Sequence, residues 1–188
     1  MAAGKLSGIS KIPISPGTVP AAGANEGTYR FCAQYIFRTV AVGAVPTVLN
    51  QELAHLEARK AFTLAVPGTD TLRESDFLGI ASSNKMADKF ERTGLHAVKS
   101  EHVDAPVITE YPLTLECEVV EMQSQPYGLR VLGKIVNVIA DEKVLDDTGK
   151  IDAGKLHAFV FDQMQNGYYA VGEKIGQAWH SGADLMKK

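Results

Sequence analysis

Leu113-Thr114-Leu115-Glu116-Cys117-Glu118-Val119-Val120-Glu121 and Arg130-Val131-Leu132-Gly133-Lys134-Ile135-Val136-Asn137-Val138-Ile139-Ala140 decide the fold class, together with the Ser124-Gln125-Pro126-Tyr127-Gly128 stretch between them. Both long runs alternate apolar and polar residues with a period of two. A strand does this when one face of its sheet is buried and the other is wet. The intervening Pro and Gly supply turn chemistry, so the pair predicts an antiparallel hairpin.

Ahead of this hairpin, Ala61-Phe62-Thr63-Leu64-Ala65-Val66 alternates into another strand and stops at Pro67-Gly68. Residues 51–60, 71–80 and 84–92 are rich in helix formers, and Gly94 is suited to cap the last of them. Residues 141–152 form a polar turn. Residues 29–49 carry Phe, Tyr, Ile, Val and Thr, types that suit partly buried strands, whereas Gly and Pro break up residues 1–28 into an irregular segment. Strands dominate and the helices are few and short. This predicts a mainly β fold, an antiparallel barrel, closed or split, with short peripheral helices, rather than a parallel α/β sheet. Neither a repeat nor a linker interrupts residues 1–188, so one domain is expected.

The 188 residues are 45% hydrophobic and 22% charged, the composition of a globular protein rather than a disordered chain. Nineteen basic against 22 acidic side chains give a net charge of −3, which argues against a broad nucleic-acid-binding face. The most apolar uncharged stretch, residues 39–51, contains Pro46 and Asn50 and falls short of the roughly 20 residues a spanning helix needs. No membrane association is expected. The N-terminus lacks the continuous apolar run of a signal peptide, so a cytoplasmic location is expected. Cys32 and Cys117 lie far apart, match no metal spacing and read as reduced, half-buried thiols.

Several catalytic motifs are missing: the Gly-x-Gly-x-x-Gly fingerprint, the P-loop and the Gly-x-Ser-x-Gly elbow. The histidines at 55, 96, 102, 157 and 180 show no two-ligand helical spacing, so neither a metal ligand nor a catalytic side chain is assigned. One stretch does offer chemistry, Gly79-Ile80-Ala81-Ser82-Ser83-Asn84-Lys85-Met86-Ala87-Asp88-Lys89-Phe90. If a loop enters a helix here, outward N–H groups, two hydroxyls and Lys85 could hold an anion. Ordinary N-capping with a solvated lysine is the alternative.

The same stretch carries a resemblance. Ser82-Ser83-Asn84-Lys85-x-x-Asp88-Lys89-Phe90, Gly94-Leu95, Ala105-Pro106-Val107-Ile108, Pro112-Leu113-x-Leu115-Glu116-Cys117 and Gly133-Lys134-Ile135-Val136-Asn137-Val138 resemble the flavin reductase-like, or flavoredoxin, family. The likeness continues through Asp141-Glu142-x-x-Leu145-Asp146-x-x-Gly149-x-Ile151-Asp152 to Gly172-Glu173-Lys174-Ile175-Gly176. It implies an FMN-binding split barrel, an antiparallel Greek-key barrel that pairs as a homodimer with flavin near the interface. By that resemblance Ser82, Ser83, Asn84 and Lys85 hold the FMN phosphate, with Lys89 nearby. Cys32-Ala33-Gln34-Tyr35 matches the early strand beside the flavin ring, with Tyr35 in the aromatic position. Tyr169, like Tyr168, could cover a flavin edge or serve in core or dimer packing, and Trp179 could cover a neighbour or its own barrel end.

The implied activity is transfer of electrons from NADH or NADPH to a small-molecule or protein acceptor. The alternatives are an FMN-holding electron carrier and a barrel that has lost its flavin. Residues 28–55 depart from the family pattern, and Gln123-Ser124-Gln125-Pro126-Tyr127-Gly128 stands where the family often has a histidine.

Overall fold

The computed structural model describes residues 9–12, 39–44, 56–81, 85–125 and 128–187. Its spine is a pair of long strands, β6 (Leu113–Gln125) and β7 (Gly128–Asp141), antiparallel from Gln125↔Gly128 to Leu113↔Ala140. Both outrun the alternating stretches that announced them. The pairing runs up to Gln125 and Gly128, inside the predicted turn, and Pro126 and Tyr127 lie outside the described residues.

β7 is the hub of a five-stranded antiparallel sheet. One of its edges pairs with β6 along its length. The other is shared between β2 (Thr39–Ala44), which takes residues 129–134, and β1 (Ile9–Ile12), which takes residues 138–141. β1 is the described part of the stretch read as irregular. β3 (Ala61–Val66) completes the sheet on the far side of β6. A strand as long as β7 cannot stay flat, and the register slips twice, leaving Val136 extra on β7 and Val120 extra on β6. Such bulges bend and twist a strand locally. Gly133 allows the layers to meet: a Cβ there would come within 2.7 Å of Cε1 of Phe62 and 3.2 Å of the Cys117 Cβ.

Around the sheet lie a helical turn at residues 56–59, helix α1 (Leu72–Ile80), and two separate hairpins, β4 (Ala97–Lys99) with β5 (Pro106–Ile108) and β8 (Phe159–Asp162) with β9 (Gly167–Ala170). The helical turn ends on Lys60 in the left-handed region (φ 53°), whose carbonyl accepts from the Val119 N–H at 2.8 Å. The core gathers Leu113, Cys117, Ile135, Val138 and Ala140 from the sheet with Val144 and Leu156 from the following loop.

Two sequence expectations need correction. Residues 84–92 do not form a helix. After residues 82–84, which lie outside the described residues, the chain runs through turns into a 3₁₀ turn at Glu91–Thr93, capped by Gly94 at φ 73°. Three of its backbone bonds span three residues: Lys89 N–H to Met86 O, Thr93 to Phe90 and Gly94 to Glu91. A segment this short is marginal as a helix, and its side chains prefer other partners. Thr93 Oγ1 donates to the Phe90 carbonyl (2.6 Å) and accepts from the Leu95 N–H (3.1 Å).

The second correction concerns the wet face of β6. Thr114 and Glu116, its outward residues by alternation, are 1% and 0% exposed. The β4–β5 loop covers Glu116. Glu116 accepts from Ser100 Oγ through one carboxylate oxygen and from Asn137 Nδ2 through the other. Ser100 Oγ in turn accepts the N–H groups of His102 and Val103, each at 2.9 Å, which ties the β4–β5 loop to the sheet. Only from Glu118 onward is this face wet, and there Glu118 meets Lys134 at 3.8 Å across the strands.

Candidate functional site

Helix α1 delivers the chain to the candidate loop. Its final turn closes with the Ala81 N–H on the Phe77 carbonyl at 2.9 Å, and Ala81 is buried. Ser82, Ser83 and Asn84 follow and lie outside the described residues. Lys85 resumes the chain, exposed, in a turn. Lys89 is half-buried and folds back, its Nζ donating to the Ala81 carbonyl at 3.2 Å. Two ammonium groups therefore sit at the ends of the 82–84 segment, one solvated and one tied to its entrance.

The nearby acid does not cancel them. Asp88 is bound by Arg92 Nε at 2.9 Å, and this hydrogen bond is the largest cause holding its carboxyl below the usual range. Because no helix begins here, dipole stabilisation of an anion drops out. Lysine charge and turn N–H groups remain. This donor set suits a phosphate monoester, for which lysine is a point-charge partner.

The β8–β9 hairpin is brought to the same helix. Tyr168 Oη donates to Asp76 Oδ1 on α1 at 2.7 Å, and its ring packs edge-on against Phe159 (centroids 5.4 Å apart) and tilted against Phe161 (5.5 Å). Tyr169 pairs across the strands with Val160 on the opposite hairpin face, away from this tie. Of the two tyrosines, then, Tyr168 is the one fixed to the helix that feeds the loop. Cys32, Ala33, Gln34 and Tyr35 lie outside the described residues.

Cys117 is fully buried and free, and burial, reinforced by the Glu116 charge, pushes its thiol up to about 12. Such a thiol stays protonated and packs as a small apolar group. The Ser100–Glu116–Asn137 cluster escaped sequence reading. Its only signal was a carboxylate between Leu115 and Cys117 in a strand of otherwise ordinary pattern.

A cleft of about 400 Å³ lies elsewhere, lined by Arg59, Lys60, His102, Asp104 and Glu118. Its charges largely satisfy one another: Arg59 and Lys99 approach Asp104 at 3.8 and 3.3 Å. No group of His, Cys, Asp and Glu among the described residues could hold a metal ion, and none of their helices is long and apolar enough to cross a membrane.

Comparison with known proteins follows the same lines. Residues 20–158 match the model of the flavin reductase like domain. Among solved structures, the chain is similar to the flavoredoxin of Desulfovibrio vulgaris (Miyazaki F), at 32% identity over 77% of this chain and 75% of that one, with a TM-score of 0.70. It is similar also to the flavoredoxin from Methanosarcina acetivorans, at 26% identity over 79% and 76%, with a TM-score of 0.71. The FMN-binding protein from Thermus thermophilus shares the fold, at 15% identity over 86% and 99% and a TM-score of 0.60. No curated protein matches the chain. The likenesses identify the antiparallel sheet as a split barrel.

Proposed function

The chain belongs to the flavin reductase-like family, and from that premise we propose that it binds FMN and passes electrons from NADH or NADPH to a small-molecule or protein acceptor. The observation that carries the reading is the pair of lysines flanking residues 82–84 on a family-matched flavin domain. In it, Ser82, Ser83, Asn84 and Lys85 hold the phosphate, and Lys89 braces the loop through Ala81. Cys32 to Tyr35 lie along the ring. Bound flavin supplies hydride and single-electron chemistry, so the protein need only bind, orient and shield it. The absence of a catalytic acid or base motif from the sequence is consistent with that division of labour.

The protein acts as a homodimer in this reading, with flavin near the subunit interface. A second reading, an FMN-holding carrier without a nicotinamide site, is favoured by the two flavoredoxin structures it resembles. An absorption spectrum of the purified protein, followed by anaerobic NADH and NADPH, tests both. Bound FMN bleached by either nucleotide supports the oxidoreductase. FMN that only a chemical reductant bleaches supports the carrier. Failure of the full chain to bind added FMN overturns both.

A further inference from the structure

The cleft between the 56–60 turn and the β4–β5 loop has a volume of about 400 Å³, within the range of small-molecule sites. Its walls are fixed by hydrogen bonds. On one side Lys60, left-handed at φ 53°, holds the Val119 N–H on its carbonyl at 2.8 Å. On the other, Ser100 Oγ accepts the N–H groups of His102 and Val103, each at 2.9 Å, and the Ala105 N–H returns to the Val103 carbonyl at 2.9 Å. The Ser100 hydroxyl commits its own proton to Glu116, which is fully buried beneath the loop. The Ser100–Glu116–Asn137 cluster has no part in the flavin reading, and it holds one wall of this cleft in place. A site with ordered walls loses less freedom when a ligand enters.

The carboxylates of the cleft are matched, but its cations are in excess. Asp104 Oδ1 is shared between Lys99 at 3.3 Å and Arg59 at 3.8 Å, and Glu118 meets Lys134 at 3.8 Å. Among the described residues, the Lys60 ammonium and the His102 imidazole make no hydrogen bond or ion pair. Glu101, beside His102, does not line the cleft. Arg59, Lys60, Lys99 and Lys134 against Asp104 and Glu118 leave two positive charges over, on a chain whose net charge is −3. A local excess of this kind concentrates anions. The Arg59 guanidinium supplies a planar fork and Lys60 a mobile point charge, both suited to phosphate oxygens. A phosphate monoester carries about 1.5 to 2 negative charges at neutral pH, which matches the excess. Ala61 and Val119 give its organic part an apolar wall. We propose that this cleft binds a small-molecule phosphate monoester, at a site separate from residues 82–85. The proposal does not depend on the flavin reading.

The test uses the full-length protein with phenyl phosphate as the probe, followed through the NMR shifts of the His102, Val103 and Val119 amides near neutral pH and at low ionic strength. Saturable shifts with a dissociation constant in the millimolar range or tighter are expected. Lys60→Gln and Arg59→Gln should each weaken binding roughly tenfold, the loss of one charge-assisted bond. Both side chains are exposed, so circular dichroism should report folded variants, and either one alone carries the readout. Lys150→Gln makes the same change in net charge at an exposed position outside the cleft and should leave binding unchanged. Phenyl sulfate, a monoanion of similar shape, should bind at least roughly threefold more weakly. One equivalent of FMN should not displace the probe. Absent or unsaturable shifts, an equal loss in Lys150→Gln, or phenyl sulfate binding as tightly as phenyl phosphate would overturn the site. Displacement by one equivalent of FMN would overturn its separateness. A protein that takes the probe and binds no FMN would overturn the flavin reading and leave the cleft standing.

Discussion

Hairpins β6–β7 and β8–β9 share one antiparallel geometry and differ in what covers them. In β6–β7 the inner face carries Cys117, Ile135 and Val138, and the outer face near Glu116 is roofed by the β4–β5 loop. In β8–β9 one face is tied to α1 by Tyr168 and the other is open at Val160 and Tyr169. Alternation alone does not separate the two. Where a second element of the same chain supplies polar partners, a polar residue is drawn into the interior. Where none does, an apolar face stays exposed and is available to another molecule.

The largest expected effect falls on the roofed hairpin. Glu116→Ala removes the acceptor of two hydrogen bonds, from the Ser100 hydroxyl and from Asn137 Nδ2, beneath the β4–β5 loop. Hydrogen bonds to a charged group contribute about 1.5–3 kcal/mol each, so a loss of about 4 kcal/mol is expected by urea unfolding. Glu116→Gln keeps a polar group in place and should cost much less. Equal losses for the two variants, or a loss below about 1 kcal/mol for Ala, would remove the roof from the comparison.

Next is Lys85, which tests the loop rather than the sheet. A lysine on a phosphate contributes about 1.5–3 kcal/mol, so Lys85→Ala should weaken FMN binding roughly 10- to 150-fold. Riboflavin, with the same ring and no phosphate, should bind almost unchanged, and unfolding of the flavin-free protein should not move. Parallel losses for both ligands would show that Lys85 supports the fold and not a phosphate.

A smaller effect is expected at Gly133. An added methyl there meets Phe62 and the Cys117 Cβ, and overpacking of this kind should cost about 1–2 kcal/mol in a urea titration. Gly172→Ala, beyond β9, meets nothing within 4 Å and should be neutral. A Gly133→Ala protein as stable as wild type would mean that β3 and β7 are not pressed together as described.

These contrasts also explain what could be read in the sequence. The strands were legible because period-two alternation is imposed by the pleat itself, and β3, β6 and β7 all show it. The helix expected at residues 84–92 failed because propensity does not count competing side-chain bonds: Lys89 reaches back to the Ala81 carbonyl and Thr93 to that of Phe90. Glu116 read as solvated because alternation reports that a polar residue is present, not what lies over it. Its partner Ser100 is 16 residues away. Of the candidate site, Lys85 is exposed in a turn and Lys89 bonds the Ala81 carbonyl, and the helix start on which the anion argument leaned is not formed. Ser82 to Asn84 and Cys32 to Tyr35 lie outside the described residues.

The smallest expected effect probes the side-chain tie between β8–β9 and α1. Tyr168 donates to Asp76, and this bond, with burial and the Asp76 charge behind it, raises the phenol above its ordinary value of 10.0. Ionised, the oxygen would have no proton to donate and would face a carboxylate. The folded state therefore holds this proton more tightly than the unfolded chain does. The stability it contributes is fully present below about pH 10 and is lost as pH rises through the folded value. Tyr168→Phe should lower the thermal midpoint slightly at pH 8, and the difference from wild type should shrink above pH 10. Tyrosinate absorbance should show a late-titrating phenol that is missing in the variant. A difference that persists or grows with pH would mean that ring packing on Phe159 and Phe161 anchors the hairpin and the hydroxyl contributes nothing.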